Sequence, residues 1–157
     1  TQRMPDKIPV RLLLPDGTKF ERDDIAQEGR IDRDDLEGEA AEVAARIARY
    51  GYLMAWFNVE SQKAEERYRV FKSSASAKAK TSGVNVALDD GSVFAKSKPS
   101  ERDCEIAYRL DPEYTVLNDR IASMSSGYEL FRGLYYAQRS KADQIANLIR
   151  LQFAKNK

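Results

Sequence analysis

The sequence predicts a mainly α fold. Two long heptad-patterned helices and a short helix form a helical or coiled-coil bundle, with a small N-terminal β-hairpin and a central segment that is a second hairpin or a loop. Three observations predict it. Apolar residues alternate at spacings of three and four over two stretches of about 40 residues each. Helix start and stop signals bracket both stretches: Asp34-Asp35 and Thr81-Ser82-Gly83 around the first, and Asp111-Pro112 before the second. Turn signals, Pro15-Asp16-Gly17-Thr18 and Asp89-Asp90-Gly91, sit next to short alternating runs.

Taken in order, Ile8, Val10, Leu12 and Leu14 alternate as a strand, and Lys19-Phe20 begins its return. An isolated hairpin is marginal in water, so this one is expected to pack on something. Residues 21–33 read as acidic and irregular. The first long helix starts at Leu36 with Asp34 or Asp35 as cap. Its stripe is Leu36, Ala40, Val43, Ile47, Tyr50, Met54, Phe57, Ala64, Tyr68, Phe71 and Ala75, broken only at Ser61. Leu53, Trp56 and Val70 widen it, which calls for more than one partner helix. Gly51 costs about 1 kcal/mol against Ala unless close packing requires it.

Val84, Val86 and Leu88 alternate before the Asp89-Asp90-Gly91 turn, and Val93-Phe94 follows. Ser100-Glu101-Arg102-Asp103 is a capping box for a short helix to about Leu110. Asp111 as cap and Pro112 at the first helical position open the second long helix. Its stripe is Tyr114, Leu117, Ile121, Met124, Tyr128, Phe131, Tyr135, Ala142, Ile145 and Ile149, with Gln138 and Gln152 in register. Leu130, Leu134, Leu148 and Phe153 widen it. The expected organisation is an N-terminal hairpin and acidic segment at 1–33. A helical oligomerisation and nucleic-acid-binding domain follows at 34–157, with its loop at 81–99.

Composition removes whole classes of chemistry. The 157 residues contain no histidine and one cysteine, Cys104. Ser-His-Asp and Cys-His catalysis, His-containing zinc sites, Cys₄ sites and an intrachain disulfide are therefore excluded. A reducing cytoplasmic setting is expected. No apolar run approaches the ~18 residues of a membrane span. Thr1 at the start reads as a trimmed N-terminus. No phosphate-binding glycine loop, Gly-x-Ser-x-Gly or HExxH pattern occurs. The pairs Asp23-Asp24, Asp34-Asp35 and Asp89-Asp90 could serve a two-metal enzyme only if they converged, and they read as turns and caps. Cys104 reads as a small buried hydrophobe. No cofactor and no catalytic residue are expected.

The formal net charge is only +1, but it is sorted along the chain. Residues 61–100 carry a net +4 and 132–157 a net +5, whereas 101–131 carry a net −4. Lys63, Arg67, Arg69, Lys72, Lys78 and Lys80 gather at the end of the first long helix, and Lys96 and Lys98 extend the stretch. Such a basic helix end can follow a phosphate backbone. The competing reading of these eight residues is a solvated helix face, with Tyr68 and Phe71 in the core.

The order of features resembles the UvsY family, the recombination mediators of T-even phages. The matching segments are Leu36-Glu37-Gly38-Glu39-Ala40-Ala41, the stretch from Lys72 to Gly83, and Ser100-Glu101 onward to Ile149, over about residues 36–150. The family's basic helix-end motif corresponds to Phe71-Lys72-Ser73-Ser74-Ala75-Ser76, where the hydrophobe and Lys72 match. The resemblance implies a homo-oligomer, ring-like in form, that binds single-stranded DNA. It would help load a RecA-like recombinase onto DNA covered by single-strand-binding protein, without catalysis. The alternative is a coiled-coil adaptor, scaffold or inhibitor that binds protein alone.

Overall fold

A computed structural model describes residues 12–20 and 28–156. Among these, the elements run in the order β1 (Leu12–Leu13), β2 (Lys19–Phe20), α1 (Leu36–Ser82), β3 (Val84–Ala87), β4 (Val93–Lys96), α2 (Glu101–Arg109) and α3 (Pro112–Lys155). The mainly α fold with two long helices, a short one and an N-terminal hairpin is therefore present. The central segment is a second hairpin rather than a loop. The strand expected at Ile8 and Val10 and most of the acidic 21–33 stretch lie outside the described residues.

The helix boundaries follow the local chemistry. Asp35 caps α1, its Oδ1 accepting from the Gly38 N–H at 3.0 Å. Gly83 ends α1 at φ +74°, donating its N–H to the Ala79 carbonyl at 2.8 Å. An added Cβ there would lie 2.6 Å from the Lys96 carbonyl oxygen, so only glycine fits. Ser100 and Asp103 form the expected capping box on α2. The Asp111 carboxylate accepts from the Glu113 N–H at 2.9 Å where α3 begins.

The two hairpin turns share one design. Leu14-Pro15-Asp16-Gly17-Thr18 and Leu88-Asp89-Asp90-Gly91-Ser92 each place glycine at φ +82°. In each, the leucine N–H donates to the Thr or Ser carbonyl, and the aspartate accepts from the Thr or Ser N–H and hydroxyl. Asp90 and Asp35 are therefore turn and cap residues, as the sequence suggests. β1 pairs antiparallel with β2, Leu12 facing Phe20, and β3 with β4, Val84 facing Lys96.

The chain divides into two compact units, Thr1–Trp56 with Gly127–Lys157, and Phe57–Ser126. In the first, the N-terminal half of α1 and the C-terminal half of α3 pair antiparallel. Glu39 meets Lys141, and Tyr50 lies 5.9 Å from Phe131 between ring centroids. Gly51 faces Tyr135, whose ring would stand 3.4 Å from an added Cβ. Phe20 of the hairpin is buried 5.1 Å from the Phe131 ring, which gives the hairpin the packing it needs. In the second unit the helices also pair antiparallel: Glu60 meets Arg120 at 3.5 Å, and Tyr68 lies 5.9 Å from Tyr114. α2 packs on β3 and buries Cys104.

The heptad stripes are the buried faces. Leu36, Val43, Tyr50, Phe57 and Ala64 on α1 and Met124, Phe131 and Ile145 on α3 are all buried, and the other stripe residues up to Ala75 and Ile149 are half-buried. Leu53 and Leu134 join the core, whereas Val70 and Phe153 do not and stand exposed. A second seam runs on the opposite side of α1. Ala41, Ala45, Ala48, Tyr52 and Ala55 repeat at four and three, and all are exposed, Tyr52 by 61%.

Candidate functional site

All eight cations singled out from the sequence belong to the second unit, six on α1 and two on or just after β4. At 100° per residue, Lys63, Arg67 and Lys78 lie within about 60° of one another around the α1 axis. Arg69, Lys72 and Lys80 lie on the other flank of the buried stripe. The helix therefore carries two basic edges rather than one face.

Several of these charges are engaged. Lys63 pairs with Glu60 at 2.9 Å, Arg69 with Glu66 at 2.7 Å and Lys96 with Asp103 at 2.6 Å. Lys63 holds the Glu60 carboxyl below its ordinary range. The Lys96 ammonium, together with the Ser100 N–H and hydroxyl, lowers Asp103 to about 2. Lys72 sits 4.7 Å over the Tyr68 ring. Among the described residues, Arg67, Lys78, Lys80 and Lys98 form no ion pair, and all four are exposed. The Arg69–Glu66 pair is exposed on both sides and contributes less than about 1 kcal/mol, so a phosphate can compete for Arg69.

Aromatic residues sit among these cations. Tyr68, Phe71, Tyr108 and Tyr114 are half-buried and in ring contact, Phe71 to Tyr108 at 6.3 Å and Tyr108 to Tyr114 at 6.0 Å. Burial, with Tyr114 next in weight, pushes the Tyr68 hydroxyl up. Burial followed by Glu105 does the same for Tyr108. Beside them is a groove of about 500 Å³ between the end of α1, the start of β3 and the end of α2.

The sequence reading missed a second cluster, in the first unit. Lys141 is only 6% exposed. Its ammonium donates to the Glu28 carbonyl at 3.0 Å and to the Arg30 carbonyl, and forms an ion pair with Glu39 Oε2 at 2.7 Å. Glu28 also accepts from the Tyr50 hydroxyl and stands 3.8 Å from Arg46. Burial, then Glu28, raises the Tyr50 hydroxyl well above the ordinary phenol range. Two carbonyls and a carboxylate hold the ammonium, so this cluster ties the segment around residues 28–30 to the helix pair. The signal was present: Lys141 lies seven residues after Leu134 and four before Ile145, on the buried face.

Among the described residues, no group of three or more Cys, Asp and Glu side chains could hold a metal ion. No helix there is long and apolar enough to cross a membrane. Asp23-Asp24 lie outside the described residues. Comparison of the chain with protein families, with curated proteins and with solved structures finds no match.

Proposed function

We propose that this chain is a non-catalytic recombination mediator that binds single-stranded DNA through the basic end of α1. The observation that carries the reading is the gathering of Arg67, Lys72, Lys78, Lys80 and Lys98 in one unit, with no acidic partner among the described residues. Arg67 and Lys78 stand ~16 Å apart along one edge of the helix, about the length of two to three nucleotide steps of an extended strand. The resemblance to the UvsY family supplies the remaining terms: a RecA-like recombinase and a single-strand-binding protein as partners, and a homo-oligomer as the working form. The exposed seam from Ala41 to Ala55 supports self-association, since an outer heptad repeat can receive another helix.

The variant Arg67→Ala/Lys78→Ala/Lys80→Ala tests the reading. It should lose single-strand binding at ~150 mM salt and keep wild-type helicity and mass in solution. Undiminished binding would refute the assignment. The same exposed seam also suits a coiled-coil adaptor that binds protein alone. Absence of any complex with a 20-nucleotide strand at ~50 mM salt would favour that second reading.

A further inference from the structure

We propose that the groove beside Phe71 and Tyr108 receives an unstacked base of the bound strand, so that the protein grips bases as well as phosphates. This rests on the single-strand reading above and adds to it a site whose chemistry is that of a nucleobase. The groove of about 500 Å³ has room for one base with its sugar. Its wall is apolar and partly flat: Phe71, Ala75 and Ala79 on α1, Val84 on β3 and Tyr108 on α2. Phe71 and Tyr108 are half-buried with ring planes 82° apart, so they form a corner of two π-surfaces rather than a closed stack. An unstacked base gains from such a surface whatever its identity.

The rims divide the nucleotide's parts. Lys78 stands on one rim, exposed and without an ion pair among the described residues, and suits a phosphate. Asp111 and Glu113 stand on another. Their carboxylates repel a phosphate and accept hydrogen bonds from exocyclic amino groups, as acidic side chains do from the cytosine amine. A phosphate is therefore held at Lys78 while the base enters. A base with an exocyclic amino group brings an NH₂ with two N–H donors to these acceptors, whereas thymine brings its single N3–H.

The test compares binding of the full chain to a 20-nucleotide oligo-dC, to oligo-dT of the same length and to a strand of equal length and charge made of abasic sites. Fluorescence anisotropy is read at a fixed salt concentration. Oligo-dC should bind on the order of tenfold or more tighter than the abasic strand, with oligo-dT between them. Ser74→Leu places a bulky aliphatic side chain in the groove from its exposed rim without adding a stacking surface, and the three strands should then bind alike. Equal binding of dC and abasic strands by the wild type overturns the base site while leaving the phosphate reading intact. So does a dC preference that survives Ser74→Leu. Failure of all three strands to bind overturns both.

Discussion

Replacing Lys141 by Met keeps the apolar stem of a buried side chain and removes its ammonium. The Glu39 carboxylate then loses its cation, and the carbonyls of Glu28 and Arg30 lose their donor. Removing one partner of a buried ion pair costs about 3–5 kcal/mol. Glu39 keeps 16% of its side-chain exposure and its hydrogen bond from the Asp32 N–H at 3.1 Å. The expected loss is therefore at the lower end, about 3 kcal/mol, a large part of the ~5–15 kcal/mol that holds a typical domain together. Adding Glu39→Gln to Lys141→Met removes the stranded charge and should recover about 1–2 kcal/mol. Urea unfolding followed by circular dichroism supplies the four stabilities of the cycle. Lys141, with the Asp32 amide second, holds the Glu39 carboxyl below its unfolded value of 4.5. Its contribution is therefore present above about pH 4.5 and disappears as pH falls through the lower folded value. Lys141→Met should flatten that acid dependence. A coupling energy below about 0.5 kcal/mol would refute the reasoning, because it would mean that solvent screens the pair.

Other perturbations separate glycines and core residues by their surroundings. Gly83→Ala should destabilise by at least about 2 kcal/mol in urea melts, since it adds a left-handed strain and a clash with the Lys96 carbonyl. Gly133→Ala lies in a helix with nothing within 4 Å of the new Cβ and should stabilise by about 0.5–1 kcal/mol. Phe131→Ala, at a fully buried ring touching Phe20 and Tyr50, should cost about 3–5 kcal/mol by the same assay. Ser100→Ala should cost about 1 kcal/mol through loss of the α2 cap. In NMR titrations Asp103 should keep its charge until pH falls from 3.8 toward about 2, and Lys96→Met should raise that midpoint.

The long helices were legible because each buries one stripe along most of its length, so the three-four repeat is the core itself. Asp35, Gly83, Ser100 and Pro112 were legible because their chemistry is local to the chain. The antiparallel pairing inside each unit was not, since a heptad specifies a face and leaves the partner and direction open. Lys141 was passed over because its charge outweighed its position beside Leu134 and Ile145. The outer seam from Ala41 to Ala55 went unread because alanine is both weakly apolar and a favoured helix residue, so its repeat carries little contrast. The basic stretch was visible as composition. Which of its members stay free depended on Glu60 and Glu66 three residues upstream and on Asp103 seven residues downstream, in the first turn of α2. The groove joins Phe71 to Tyr108 across more than thirty residues of chain, and no local pattern announces it.

The salt dependence of single-strand binding tests the central claim most directly. If both basic edges of α1 engage the strand, Arg67 and Lys78 on one and Lys72 and Lys80 on the other, the logarithm of the association constant should fall with the logarithm of salt concentration at a slope of about −3 per protomer engaged. Anisotropy of a labelled oligonucleotide between ~50 and ~200 mM salt measures it. A slope near −3 that drops toward −1 in the Arg67/Lys78/Lys80 alanine variant is the predicted result. A slope near zero, or one unchanged by those substitutions, would contradict the account.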